Sequence, residues 1–473
     1  VSVRSAGVLA AFVLFAVALA TRVQNALLFP PQWGFDASFN WEYIEALRKV
    51  WHLPAPDAGW STSDPPLYFA LAALLMRIVH APALVPWLNT MLGLGIAALA
   101  WRLVRRLAPD DAPRAWLAAG LVLYLPAHVQ MSAMVNEEML ASFFVALALV
   151  LALDPARRGE PAREGWRRAV GVGMAAGLAL LSKLTGALAT PACALAFAQD
   201  ARRRRDAWAR AAVVCAVAAL VGGWFYARNR IEYGYFQPHG LPAHRLMFGM
   251  PPGERGVLDF VRVPLATFTD PQVLNPDLLR SVWGTTYASL WFDAHRFFLP
   301  TLSEGVRRLG GITLLLALLP SAAFVVGAGR GVRRVLRGEG GADLPQLALV
   351  AMTLSGYAFY AWTNPWFAVL KGTSLLGLCV PYACYTSETL CVVARRGRAQ
   401  AVALAVALAL LAACVTAGGT FHGLFVRTES PGIPWQPTGT PSKEADPGRP
   451  TRSEAQPSEG RQPERERSAS AKA

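Results

Sequence analysis

Apolar blocks of membrane-spanning length alternate with short polar turns as far as about residue 420, and the alternation then stops. The first block, 5–28, follows Arg4 and has no small-residue cleavage site behind it, so it is expected to be a retained crossing and not a signal peptide. After the polar stretch Phe29 to Pro66 come two apolar pieces, 67–79 and 83–101, the first short for a crossing. Blocks 115–134 and 139–153 form a hairpin around Val135-Asn136-Glu137-Glu138. Block 169–199 is interrupted at Leu181-Ser182-Lys183-Leu184-Thr185-Gly186 and is short for two crossings of roughly 20 residues each, which puts Lys183 at the membrane rim or in its outer half. Residues 208–227 lead to a long loop, 228–308, and further crossings are expected near 309–329, 345–362, 372–392 and 399–418. The pattern predicts an all-α multi-pass membrane protein with about 10 to 12 transmembrane helices.

Within the first polar stretch, Phe39, Tyr43, Ile44, Leu47 and Val50 recur at helical spacing, which predicts an amphipathic helix lying along the bilayer surface. Trp41, Trp51 and Trp60 suit the headgroup level. Pro65 and Pro66 end the loop and start a helix at Leu67, because proline is tolerated in a first helical turn.

Composition sharpens the class. Of 473 residues, 54% are hydrophobic and 16% charged, with a mean hydropathy of +0.33, far more apolar sequence than a soluble domain needs. A net charge of +14 could suggest nucleic acid. The arginines, however, fall in short clusters between apolar blocks, at 102–114, 157–168, 202–210, 330–337 and 395–398, which marks cytoplasmic loops and argues against nucleic-acid binding. The N-terminus is therefore expected inside, and loops 29–66 and 228–308 outside. The six cysteines all lie in apolar blocks without metal spacing and read as buried small side chains. Residues 1–420 form the membrane domain, and 421–473, rich in Pro, Ser, Glu and Arg, is expected to be a disordered tail.

This topology collects Asp36, Asn136 to Glu138, Lys183, loop 228–308 and Lys371 on the outer side, and a shared cavity is the economical explanation. Each residue carries two readings. Asp36 is either a helix cap or a general base. Glu137 and Glu138 either mark a helix start or bind substrate or metal. Lys183 either snorkels or binds a lipid phosphate. Arg228 and Arg230, after Trp224-Phe225-Tyr226, either anchor at the interface or contact phosphate. His239, His244 and His295 read as loop hydrogen-bonding residues, and Asp293 either supports the loop or contacts sugar.

The order of these features resembles the C-type (GT-C) integral-membrane glycosyltransferases, specifically bacterial relatives of the dolichyl-phosphate-mannose protein mannosyltransferases and of the aminoarabinose transferase. The matching pieces are Phe35-Asp36, Asp64-Pro65-Pro66-Leu67-Tyr68-Phe69, Asn136-Glu137-Glu138, Leu181 to Gly186, Trp283-Gly284-Thr285-Thr286-Tyr287 and Lys371-Gly372-Thr373-Ser374-Leu375-Leu376, within about residues 1–420. The resemblance implies a glycosyltransferase that moves a sugar from a polyprenyl-phosphate-linked donor to a lipid, glycan or protein acceptor on the outer face of the cell membrane. It implies Asp36 as the catalytic residue and Glu137, Glu138, Lys183, Arg228, Lys371 and Asp64 as substrate-binding residues. A divalent cation, Mg or Mn, would be held by Asp36, Glu137 and Glu138. Many relatives have a histidine just before the proline pair, where this chain has Ser61-Thr62-Ser63-Asp64, and that departure removes one metal ligand. The competing function classes are a transporter or flippase of a lipid-linked sugar, expected to concentrate polar groups at mid-membrane, and a non-catalytic assembly protein using the tail.

Overall fold

A computed structural model describes residues 3–153, 162–199, 206–237, 250–299 and 303–421. His239, His244, parts of the 157–168 and 202–210 clusters, and the expected tail from 422 onward lie outside the described residues. The described residues form helices joined by turns and loops, with one isolated bridge between Pro252 and Trp366. The chain is a multi-pass integral membrane protein. Among the described residues, seven helices are long and apolar enough to cross a bilayer: Leu9–Leu28, Leu84–Leu107, Ala207–Tyr233, Glu304–Leu336, Asp343–Thr363, Phe367–Ala394 and Arg398–Gly419. Four shorter apolar helices, Leu67–Val79, Ala112–Leu123, Glu138–Ala152 and Leu184–Ala198, accompany them. Several outward-facing residues on the long helices are large and apolar, among them Phe12, Leu220, Leu315 and Val325, as lipid contact requires.

Small residues let the helices approach. A Cβ on Gly222 would lie 2.4 Å from the Gly177 carbonyl oxygen, so Ala162–Ser182 and Ala207–Tyr233 touch backbone to backbone there. Three of the arginine clusters meet at one end of the bundle. Arg334 pairs with Asp343 at 2.8 Å and with Glu388 at 2.7 Å. Arg114 reaches Glu388 at 3.2 Å, and Arg395 reaches Asp111 at 2.5 Å. Loops that the charge pattern assigns to one side thus share one side.

The surface helix of the first loop is corrected in its setting. Ala37–Val50 does form, but Tyr43, Ile44 and Leu47 are buried in a protein core with Tyr68, Phe69 and Met76 of Leu67–Val79. Tyr43 stacks on Phe69 with ring centroids 4.4 Å apart. An apolar stripe needs an apolar cover, and a neighbouring helix supplies it as well as lipid does. Trp41 is likewise buried, its indole N–H donating to the Pro31 carbonyl at 2.7 Å, whereas Val50 and Trp51 are exposed.

Cys215 is exposed, against the expectation that all six cysteines are buried, and all six are free. In the long loop the preceding helix continues to Tyr233, and residues 250–299 pack as short helices plus Val282–Trp291. Asp293 supports this loop: its carboxylate accepts the N–H groups of Phe297, Phe298 and Leu299 at 3.0, 2.6 and 2.8 Å. The sugar-contact reading of Asp293 gives way to that cradle, which uses both carboxylate oxygens.

Candidate active site

Five chain segments bring six ionisable residues together. Asp36 sits at the turn before Ala37–Val50 with φ of 55°, in the left-handed region that Asp tolerates better than most residues. It makes no side-chain cap to that helix. Its carboxylate instead accepts from the Lys371 ammonium at 3.0 Å. Lys371 also lies 4.7 Å from the Phe35 ring centroid, so one cation is held by a charge and an aromatic face. The backbone around it is clamped: the Gly372 N–H donates to Ser289 Oγ at 2.8 Å. A Cβ on Gly372 would lie 2.4 Å from the Leu290 amide nitrogen. Only glycine permits that approach.

Lys183 follows the last residue of Ala162–Ser182, where the helix breaks into the turn Leu184–Leu188. Its ammonium bridges Glu137 at 2.5 Å and Glu138 at 2.8 Å. Both glutamates are buried, and Glu138 opens the helix Glu138–Ala152, where a carboxylate suits the positive end of the dipole. The helix-start reading holds for Glu138, and the same turn brings both carboxylates onto Lys183. Asp64 ends the turn Ser61–Ser63 and precedes the proline pair that starts Leu67–Val79. Among the described residues it has no ion-pair partner within 4 Å.

Uncharged groups that sequence reasoning passed over fix this geometry. Asn89 donates to the carbonyls of Met134 at 2.6 Å and Asn136 at 3.0 Å, and to the Tyr68 hydroxyl at 3.2 Å. Asn40 donates to the Val135 carbonyl at 2.9 Å, and Ser61 Oγ donates to Asn40 Oδ1 at 2.7 Å. The glutamate turn, the first-loop helix and the Asp64 turn are thereby tied to one another. A signal was present: Asn89 is a lone amide inside Leu84–Leu107, where a polar group at membrane depth calls for a reason. Asn89→Ala strands the Asn136 carbonyl and leaves the Met134 carbonyl with only the Asn136 amide as donor; it is expected to cost about 1–3 kcal/mol and to loosen the glutamate turn. Thermal unfolding in detergent measures it, and an unchanged midpoint would remove Asn89 from this role.

Electrostatics divides the carboxylates. Partial withdrawal from water raises the pKa of Asp36, whose side chain stays 43% exposed, but the charge and hydrogen bond of Lys371 outweigh it and leave the group below the usual carboxylate value. Asp64 is pushed up to about 8, first by burial and then by the charge of Glu137, with Lys183 opposing. His295 is buried against Phe35, ring centroids 4.8 Å apart. Burial, then Lys371, lowers its pKa to about 3, so it stays neutral. Arg228 stands apart from the six: it pairs with Glu232 at 3.0 Å and donates to the Tyr233 hydroxyl at 3.2 Å on its own helix. Its Nη1 is buried without an acceptor. Beside Glu138 a small pocket of about 20 Å³ is lined by Ser142, Thr185, Leu188, Leu349 and Ser374 among others, with Glu138 the one charged residue in its wall.

Residues 63–224 match the family model of the dolichyl-phosphate-mannose-protein mannosyltransferases. That stretch contains Asp64, Glu137, Glu138 and Lys183. The structure resembles an oligosaccharyltransferase of Archaeoglobus fulgidus tethered with an acceptor peptide, at 16% identity over 87% of this chain and 55% of that one, TM-score 0.53. It also resembles the archaeal oligosaccharyltransferase AglB from that organism in complex with an inhibitory peptide and a dolichol-phosphate, at 15% identity over 87% and 56%, TM-score 0.52. The chain thus spans little more than half the length of these proteins. A looser likeness, TM-score 0.37 at 16% identity over 84% of this chain and 81% of that one, is to ArnT from Cupriavidus metallidurans bound to undecaprenyl phosphate. No curated protein matches the chain by sequence. The chain is thus a multi-pass membrane protein with a stretch that matches this family model and a fold like that of the archaeal oligosaccharyltransferase.

A solved form of the archaeal protein is a complex with Zn and sulfate, which raises the question of a metal here. The expected ligands do not fit one. No group of three or more His, Cys, Asp or Glu among the described residues is arranged to hold a metal ion. Lys183 already lies between Glu137 and Glu138, and Lys371 lies on Asp36. A divalent ion shared by the three carboxylates would have to displace both ammonium groups.

Proposed function

We propose that this protein is a glycosyltransferase that moves a sugar from a polyprenyl-phosphate-linked donor to an acceptor hydroxyl, with the two-lysine cluster as its active site on the outer face of the cell membrane. The observation that carries this reading is the pairing of each lysine with carboxylates in one cluster at the ends of the helices. Such a site has cations for a phosphate and carboxylates for a proton. The matching family stretch and the dolichol-phosphate bound to the archaeal protein of like fold support the donor class.

In this reading the donor phosphate draws Lys371 and Lys183 toward itself, since a cation in a water-poor site stabilises developing negative charge far better than in water. Arg228, with an unsatisfied buried Nη1, adds a third contact. Moving Lys371 off Asp36 restores the basicity of that carboxylate when a donor is present, and Asp36 then takes the acceptor proton. No step uses a metal. Mass spectrometry of lipid-linked sugars and surface glycans, with and without the protein, tests the reaction. One polyprenyl-phosphate sugar should accumulate and one glycan or glycolipid should lose a sugar when the protein is absent. Unchanged pools would sink the reading, and accumulation confined to the inner leaflet would favour a flippase.

A further inference from the structure

Four carboxylates face two lysines in the cluster, and the ion pairs are unevenly shared. Asp36 has Lys371, Glu137 and Glu138 share Lys183, and Asp64 has neither within ion-pair distance. The groups facing Asp64 are Glu137, Glu138 and Lys183 from the helix ends, Asp36 from the first loop, and the tyrosines Tyr43, Tyr226 and Tyr360. An incoming phosphate adds negative charge to a site that already has two more carboxylates than lysines. A fourth carboxylate left ionised and unpaired would repel it.

Building on the proposed glycosyl transfer, we propose that Asp64 carries a proton in the resting site and donates it to the phosphate oxygen that leaves the sugar, while Asp36 takes the proton of the acceptor hydroxyl. The balance closes without a further reactant. The bond from the anomeric carbon to the phosphate oxygen breaks with its electron pair going to that oxygen, and the acceptor oxygen forms the new bond to carbon. Asp64 ends ionised and Asp36 ends protonated, and one proton exchanged through water resets both. The environments agree with this division of labour: burial and Glu137 push Asp64 up to about 8, whereas Lys371 keeps Asp36 below the ordinary value. Carboxylates pushed apart in this way take acid and base roles.

The test uses farnesyl phosphate, a short polyprenyl monophosphate, titrated calorimetrically into the full chain in lipid nanodiscs between pH 7 and 9. The second phosphate ionisation, at about 6, is complete over that range. Protonated Asp64 donates a hydrogen bond to the phosphate and ionised Asp64 repels it, so wild-type affinity should fall roughly tenfold as pH rises through the Asp64 pKa. Asp64→Asn keeps a donor but has no proton to lose. It should bind within a few-fold of wild type at pH 7, lose the pH dependence, and transfer sugar on the order of 10²-fold more slowly. Asp64→Glu and Glu138→Gln should keep the pH dependence. A flat wild-type profile, or a slope that survives in Asp64→Asn, overturns the role of Asp64 and leaves the lipid-phosphate site standing. No binding at any pH overturns the proposed function itself and this inference with it.

Discussion

Asp36→Asn should insert and fold as the parent does and lose sugar transfer by on the order of 10²-fold or more. The amide is nearly isosteric with the carboxylate and cannot accept the acceptor's proton. Folding is expected to survive because Asp36 caps no helix and its side chain is 43% exposed. Lys371, left without its anion, keeps the Phe35 ring as a contact. The effect should fall on kcat, since the lysines that hold the donor phosphate remain. Measured on protein of matched expression, transfer within a few-fold of the parent would show that Asp36 is not the base. A rise in the donor KM with kcat unchanged would assign Asp36 to positioning Lys371.

Lys183→Met is expected to have the second large effect, and the structure enlarges it beyond a weakened grip on the donor. Lys183 is the shared counter-ion of two buried glutamates. Removing one partner of such a group leaves uncompensated buried charge and costs about 3–5 kcal/mol. A lower unfolding midpoint in detergent should therefore accompany the loss of farnesyl phosphate binding. Adding Glu137→Gln and Glu138→Gln to Lys183→Met removes the stranded charges, and should recover the midpoint without recovering binding. If Lys183→Met leaves both stability and binding unchanged, the lysine merely snorkels and the phosphate assignment falls.

Much of the fold follows from local features of the chain. The run Leu67–Val79 begins where Pro65 and Pro66 require a helix to begin, and the apolar block at 169–199 breaks at Lys183. The arginine clusters read as one side of the membrane do converge, through Arg114, Arg334 and Arg395. Length, proline stereochemistry and charge asymmetry act over a few turns of chain, so they are visible without packing. The candidate residues Asp36, Glu137, Glu138, Lys183 and Lys371 were also visible, as ionisable groups on the polar side of apolar blocks.

Their partnerships were not. Asp36 and Lys371 lie 335 positions apart, and nothing in the composition of either neighbourhood names the other. The same holds for the burial of Tyr43, Ile44 and Leu47, because an apolar stripe is satisfied equally by lipid or by a second helix and sequence periodicity cannot tell the two covers apart. Asn89 and Asn40 were hidden for a related reason: an amide reveals its role only when the carbonyls it satisfies arrive from other segments. What the sequence alone determined was which residues are helical and which are charged near the membrane rim. Tertiary packing decided which charge neutralises which, and so left Asp64 without an ion-pair partner among the described residues, since ion pairing depends on separations of a few ångströms that are set when distant helix ends meet.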